Sequence, residues 1–246
     1  MENSWIIKTL FNINKSTYIF ILISFLCGYF KKVIIYMFLI IVHELGHVLT
    51  ALLFGWKISK INIYPLGGLT VFNGEINKPF VEELVVTIMG PLFQMIAFLL
   101  FFKNNYDAFV FNNYLLLFNL LPIVPLDGGK LLSIFLELLI YYKKSLYIVV
   151  YLSFIIFFYF LFLMFKLNNI FFLVAFFFLL FKIIDEKNNI NYYYNRFLLE
   201  RLFRNYNYKK KSIVPNINCF YKYRNNSIIE NKEILFEKDI LKDYFR

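Results

Sequence analysis

Charged residues are scarce in this chain: they make up 17% of its 246 residues, whereas soluble domains carry about 25%. Hydrophobic residues make up 60%, and the mean hydropathy is +0.62. A single core cannot enclose so much apolar surface in a chain of this length, which excludes a soluble globular protein. The same apolar content excludes an intrinsically disordered chain. We therefore expect a polytopic membrane protein.

Cysteine is also scarce, with two residues in the chain. Cys27 lies in a hydrophobic run and Cys219 in the C-terminal tail, so no disulfide framework is predicted. Acidic residues are fewer than basic ones, and the formal net charge is +10. The tail, residues 187–246, holds 13 basic and 6 acidic residues and contributes +7 of this charge. On a membrane protein, such a tail indicates a cytosolic face near anionic lipid, and no direct contact with nucleic acid is expected.

Apolar runs separated by short polar or basic joints predict six transmembrane helices. Their predicted ranges are 16–30, 33–54, 80–102, 107–142 with an interruption, 145–165 and 168–184. Six spans place both termini on one side of the membrane, and the lysines in the loops of that side indicate the cytosol. The predicted fold class is an all-α polytopic membrane protein, with a membrane core in residues 1–186 and a basic cytosolic tail in residues 187–246.

Two segments depart from the helical pattern. Residues 57–73 alternate in part between apolar and polar residues and contain Pro65, Gly67 and Gly68. They predict a small membrane-associated β-hairpin between spans two and three. Residues 120–129, LLPIVPLDGG, cannot form a regular helix, so the fourth span is predicted to be broken. Broken backbone at membrane depth needs cover from protein or from a water-filled cavity.

The two histidines of the chain are His43 and His47, in the sequence HELGH of the second predicted span. Four residues apart on a helix, their rings project from one face and can bind one metal ion. Glu44 lies beside the first histidine and is placed to take a proton from an attacking water molecule. If these were only packing residues, an unpaired carboxylate at membrane depth would cost about 2.5–3.5 kcal/mol. The pattern therefore predicts a metal site inside the bilayer.

A catalytic zinc site has three protein ligands and one open position. The chain has no third histidine and no well-placed thiol, so a carboxylate must supply the third ligand. Asp127 in the broken span is the candidate. Glu137 is a rival that could instead pair with Lys130 or Lys143. Two histidines and a carboxylate beside a glutamate base favour one zinc ion, although ligand type alone leaves iron and nickel open.

Together, HELGH, YPLGG in the predicted hairpin and FNLLPIVPLDGG in the fourth span resemble the site-2 protease family of intramembrane zinc metalloproteases. The resemblance extends over residues 10–190. It implies that His43, His47 and Asp127 bind zinc and that Glu44 activates the water. It also implies substrate-binding roles for a further set of residues, namely Asn119, Gly67, Gly68, Pro122 and Pro125.

The ordinary alternatives to these substrate-binding roles are a helix-packing polar side chain at Asn119 and a plain cytosolic turn at the hairpin. As an edge strand, the hairpin would instead pair with an extended substrate. Gly90 and Pro91 match a Gly-Pro element of the family. The alternative is that these two residues only allow close packing of helices. Gln94 stands where relatives often have asparagine, and no role is assigned to it.

The resemblance is strongest to sporulation members of the family. It implies a membrane-tethered pro-sigma factor as substrate, membrane inhibitor proteins as partners, and the membrane around the forespore as location, with the site open to the mother cell. These members carry a C-terminal CBS module, and the tail is interpreted as a truncated remnant without inferred nucleotide binding. The sequence does not decide whether the protein forms a homo-oligomer. Three other functions also stay open: a membrane zinc transporter, a membrane zincin of another class, and a pseudoprotease.

Overall fold

The computed structural model describes residues 11–64, 67–73, 76–166, 173–206, 208–230 and 233–245. Its helices are α1 (Lys15–Leu26), α2 (Phe30–Leu53), α3 (Phe80–Phe101), α4 (Tyr106–Asn119), α5 (Asp127–Leu139), α6 (Tyr142–Lys166), α7 (Leu173–Phe203) and α8 (Glu237–Tyr244). Its strands are β1 (Phe11–Ile13), β2 (Lys57–Tyr64), β3 (Gly67–Asn73), β4 (Lys211–Ile213), β5 (Asn225–Glu230) and β6 (Glu233–Phe236). The chain divides into two compact units, the first from Met1–Gly74 with Val81–Leu120 and the second from Glu75–Phe80 with Leu121–Arg246.

Three of the described helices are long and apolar enough to cross a membrane. They comprise Phe30–Leu53, Phe80–Phe101 and Tyr142–Leu163, which coincide with the second, third and fifth predicted spans. Helix α1, at the first predicted span, has 12 residues, whereas a crossing helix needs about 20. Part of the sixth predicted span lies outside the described residues. The structure thus supports a mostly helical membrane protein with two small three-stranded sheets in its described residues, and six spans stay a prediction.

The fourth predicted span consists of two helices. Helix α4 ends at Asn119 and α5 begins at Asp127, with residues 120–126 outside any helix. The two prolines of this segment lack an amide donor and disfavour a helical conformation in the residues before them. The backbone amide of Val124 donates to the hydroxyl of Ser153 in α6 across 3.0 Å. Protein therefore satisfies part of the backbone that the break leaves without helical partners.

The first unit contains a three-stranded sheet in the order β1-β2-β3. Strand β1 runs parallel to β2, and β2 pairs with β3 in antiparallel fashion, so residues 57–73 form a hairpin. In its register, Ile61 lies opposite Thr70 and Ile63 lies opposite Gly68. Both isoleucines are buried, and alternate residues of a strand share a face. This inner face lies on α2, because Gly68 and Thr70 contact a side chain of that helix.

Glycines allow α2 and α3 to approach each other closely within the first unit. Gly46 of α2 lies against the backbone carbonyl of Met89, and Gly90 of α3 lies against the ring of His47. A Cβ atom at either position would overlap these groups. An apolar core of this unit is built from buried side chains of both helices, the hairpin and α4, namely Leu39, Ile40, Ile63, Phe98, Ala108 and Leu115.

The second unit has its own apolar core, which joins α6 and α7 to the small sheet β4-β5-β6 and to α8. Its buried members are Tyr142, Tyr194, Phe197, Leu198, Val214, Phe220 and Leu241. Burial raises the pKa of Tyr194 above its usual range, and its hydroxyl donates to the carbonyl of Ile217. The predicted boundary at residue 187 lies inside α7. The division into core and tail, with its CBS-like remnant, stays a prediction.

A buried ion pair connects α5 to the tail within the second unit. The Nζ atom of Lys222 lies 2.8 Å from Oε2 of Glu137, and both side chains are 5% exposed. Glu137 also accepts hydrogen bonds from Ser133 and Tyr223, across 2.7 Å and 3.2 Å. Lys130 and Lys143 are nearer in the sequence, but the lysine that pairs with Glu137 lies 85 residues further along the chain. The carboxylate of Glu137 is therefore engaged in a structural network.

We expect Lys222→Met to destabilise the protein, because it leaves a buried carboxylate without its cation. Removal of one partner of a buried pair costs about 3–5 kcal/mol, which a fall in the midpoint of thermal unfolding in detergent would report. The double variant Glu137→Met with Lys222→Met should recover most of this loss, and exposed Lys238 provides the control Lys238→Met. An unchanged midpoint in Lys222→Met would contradict the expectation.

Candidate active site

The side chains of the HELGH sequence are buried in α2. His43, Glu44 and His47 are 3%, 4% and 7% exposed. Because the two histidines are one helical turn apart, their rings lie side by side, and their Nε2 atoms are 3.2 Å apart. The helix thus brings two metal-ligating nitrogens to one point.

A backbone carbonyl fixes the protonation of His47. Its Nδ1 atom lies 2.8 Å from the carbonyl oxygen of Val86 in α3. A carbonyl oxygen can only accept a hydrogen bond, so Nδ1 must carry the proton. The Nε2 atom of the neutral ring then has the lone pair that a metal ion needs.

The side-chain amides of Gln94 and Asn112 set the tautomer of His43. Its Nδ1 atom lies 3.0 Å from Oε1 of Gln94. The side-chain nitrogen of Gln94 donates to the backbone oxygen and to Oδ1 of Asn112, across 3.1 Å and 3.0 Å. Since the backbone oxygen only accepts, the amide of Gln94 must direct its nitrogen to Asn112 and its oxygen to His43. Nδ1 of His43 is therefore the donor, so Nε2 carries the lone pair in the neutral ring.

This arrangement fits a metal ion. Two lone pairs 3.2 Å apart repel each other unless a cation lies between them. Two nitrogens each about 2.0–2.1 Å from one tetrahedral zinc ion would be about 3.4 Å apart, close to the observed separation. His43 and His47 can therefore hold one zinc ion, with their second nitrogens oriented as in known zinc sites.

The carboxylate of Glu44 lies under the β2–β3 hairpin. The hydroxyl of Thr70 donates to its Oε2 across 2.6 Å. Gly68 lies so close to the carboxylate that a Cβ atom there would overlap it. Gly67, just before, has a φ of 154°, a conformation that favours glycine. The two glycines predicted to bind substrate thus begin β3, and one of them contacts the predicted general base.

The other predicted site residues divide between the two units. Asn119, at the end of α4, is 8% exposed, and its Nδ2 atom lies 3.4 Å from Nε2 of His43. It therefore belongs to the same cluster as the histidines. Asp127 is the first residue of α5 in the second unit, and Pro122 and Pro125 lie in the non-helical segment before it. Their roles rest on the sequence.

Three residues that contact this site, Gln94, Asn112 and Thr70, have no role predicted from the sequence. Gln94 and Asn112 are 0% and 3% exposed. Amides inside apolar helices are a usable signal, because buried polar groups need partners and are functional more often than apolar neighbours. Thr70 has no comparable signal, because threonine is common in β-strands.

Comparisons with known proteins agree with this site. Residues 31–106 match Peptidase family M50. Stage IV sporulation protein FB from Bacillus subtilis is 32% identical over 154 residues, which cover 58% of this chain and 54% of that protein. A zinc metalloprotease from Methanocaldococcus jannaschii is 34% identical over 119 residues, which cover 43% of this chain and 34% of that protein. The solved site-2 protease from the same archaeon has a TM-score of 0.58 and 26% identity, and the match covers 72% of this chain and 89% of that one.

Residues 31–106 therefore resemble a Peptidase family M50 domain, and the chain is similar to a solved site-2 protease. The family resemblance predicted from the three sequence motifs is confirmed. Site-2 proteases are integral membrane proteins, which agrees with the three long apolar helices. The family implies zinc as the metal. The chain spans about half the length of the Bacillus relative.

We expect Gln94→Leu to weaken zinc binding, because His43 loses the acceptor that fixes its protonation. Loss of such an orienting partner lowers metal affinity about 10- to 100-fold. Zinc retained per chain after titration with a chelator would measure this. The neighbouring residue Met95 is exposed, so Met95→Leu should retain zinc as the wild type does. Equal retention in both variants would show that Gln94 does not orient the ligand.

Proposed function

We propose that this protein is an intramembrane zinc metalloprotease, which hydrolyses a peptide bond in or near a membrane-associated segment of its substrate. The observation that carries the proposal is the geometry of α2. Two imidazoles present their Nε2 atoms to one point, 3.2 Å apart, and Glu44 lies between them in the sequence. The match to Peptidase family M50 supports the same reaction class.

The proposed zinc ligands are His43, His47 and Asp127. Three protein ligands leave the fourth position of a catalytic zinc ion open. The position of Asp127 at the start of α5, directly after the broken segment, and the family resemblance support its assignment. The rival carboxylate, Glu137, already has a lysine partner 2.8 Å away.

Glu44 is the proposed general base. Zinc, when bound, lowers the pKa of a water molecule and polarises a carbonyl group. Glu44 accepts a proton from the attacking water and returns it to the amine that leaves. The amide of Asn119, beside His43, is proposed to donate a hydrogen bond to the substrate. Burial of the cluster excludes bulk water and strengthens these interactions.

A substrate helix must unwind before it is cut, because its carbonyls are already hydrogen-bonded within the helix. Strand β3 lies at one edge of the first sheet and is proposed to offer main-chain hydrogen bonds to an extended segment. Gly67 and Gly68 begin this strand. The non-helical segment with Pro122 and Pro125 is proposed to hold the unwound part of the substrate.

The proposed substrate is the membrane-tethered pro-form of a sporulation sigma factor, and membrane inhibitor proteins are proposed regulators. The similarity to the Bacillus sporulation protein supports this assignment. Both termini would lie in the cytosol, and the protein would reside in the membrane around the forespore, with its site open to the mother cell.

Glu44→Gln should abolish cleavage and retain zinc, because it removes the base and keeps both histidines. General bases contribute about 10²- to 10⁴-fold to a rate. Co-expression with a pro-sigma factor from the same genome, followed by gel analysis, would measure cleavage, and metal analysis would measure zinc. Glu82→Gln is the matched control, because the carboxylate of Glu82 accepts a hydrogen bond from Trp56 and is assigned no role in cleavage. Equal cleavage by wild type and Glu44→Gln would refute the assignment of the base.

Asp127→Ala should lose both zinc and cleavage, because only two ligands remain. Glu137→Gln should retain one zinc ion per chain, since it is assigned a structural role. Zinc and activity retained in Asp127→Ala would instead indicate a membrane zincin of another class. Zinc flux in proteoliposomes without any cleavage would indicate a transporter.

A further inference from the structure

The inner face of the β2–β3 hairpin lies directly on the carboxylate of Glu44. Residues 68 and 70 share this face because side chains alternate along a strand. A Cβ atom at Gly68 would overlap Cγ, Cδ and Oε1 of Glu44, and the hydroxyl of Thr70 donates to Oε2 across 2.6 Å. One strand therefore binds Oε2 through Thr70, and it leaves space for Oε1 because residue 68 has no side chain.

The register of the hairpin fixes this contact. Thr70 lies opposite Ile61 and Gly68 lies opposite Ile63, and both isoleucines are buried. The hydroxyl of Thr17 in α1 donates to the carbonyl of Ile63 across 2.8 Å, which anchors β2. A slip of one residue would turn Thr70 to the opposite face of the sheet. The anchored strand thus holds the hydroxyl at a defined position over the carboxylate.

The hydrogen bond has a direct chemical consequence. A hydroxyl that donates to an ionised carboxylate forms a short, charge-assisted bond, which restrains rotation of the carboxylate and engages Oε2. Proton transfer to a general base depends first on the position of the accepting atom. We propose that Thr70 is a positioning residue, which holds Glu44 so that Oε1 receives the proton. This inference rests on the protease function proposed above.

A purely structural role for Thr70 makes different predictions. If its hydroxyl only fastened the hairpin to α2, its loss would change stability or substrate binding and would be seen in Tm or KM. A positioning role lowers kcat, because the base is misplaced in the transition state. Zinc content should not change, because Thr70 donates to Glu44 and the histidines have their own partners.

The test uses four forms of the full chain in proteoliposomes: wild type, Thr70→Val, Thr70→Ser and Thr87→Val. Valine keeps the shape of threonine without the hydroxyl, and serine keeps the hydroxyl. Thr87 is a matched control, because it is buried and its hydroxyl donates to the carbonyl of Glu83 in its own helix. Steady-state cleavage gives kcat and KM, and metal analysis gives zinc per chain.

Thr70→Val should lower kcat about 10- to 100-fold, because a misplacement of about 1 Å in a reacting group can cost 10²-fold, and KM and zinc should not change. Thr70→Ser should restore kcat to within about threefold, and Thr87→Val should resemble the wild type. Wild-type kcat in Thr70→Val would overturn the proposal. Equal losses in the valine and serine variants, or a loss confined to KM or zinc, would also overturn it.

Infrared difference spectra separate this proposal from the protease function. The spectrum of wild type minus Glu44→Gln contains the carboxylate stretch of Glu44, which should shift in Thr70→Val and stay in place in Thr70→Ser. An unshifted band in Thr70→Val would disprove the positioning contact, whatever the activity. If the wild type binds zinc and cleaves nothing while the band shifts, the contact stands and the protease function fails.

Discussion

The orientation of two imidazole rings is the constraint on which the rest of the site depends. A histidine binds metal through an unprotonated nitrogen, so its other nitrogen must find an acceptor inside the apolar helix bundle. Helix α3 supplies both acceptors, the carbonyl of Val86 and the amide oxygen of Gln94. These residues are eight positions apart and lie on one face of the helix. Gly90, between them, leaves the space that the ring of His47 fills.

Small residues make the close contacts of the first unit. Gly46 allows α2 to approach the backbone of α3, and Gly68 allows the hairpin to approach Glu44. A glycine inside a helix or strand is destabilising by about 0.5–1 kcal/mol relative to alanine. In this protein, each of these glycines lies where a methyl group would displace a side chain or backbone of the site. These glycines lower the local stability of the helix and the strand, and they allow reactive groups to approach closely, as is common at functional sites.

The sequence predicts those features that depend on local geometry alone. The shared face of His43 and His47 follows from helical periodicity, and the break before Asp127 follows from proline chemistry. Contacts that depend on the rotation of a helix about its axis or on strand register could not be predicted from the sequence. The His43–Gln94 and Glu44–Thr70 contacts join residues 51 and 26 positions apart. Charge spacing along the sequence predicts only local ion pairs, so it pointed to nearby lysines as partners of Glu137. It carries no information about Lys222, which lies in a tail 85 residues away.

The ion pair between Glu137 and Lys222 also bears on the synthesis of the protein. The lysine is 85 residues further along the chain, and translation at about 5–20 residues per second separates the two by about 4–17 s. During that interval the carboxylate of Glu137 lacks its lysine partner and must stay in contact with water, because a buried, unpaired charge is unfavourable. Helix α5 begins at Asp127 and contains Glu137. The ribosome must therefore complete the chain as far as Lys222 before the carboxylate of Glu137 can be paired.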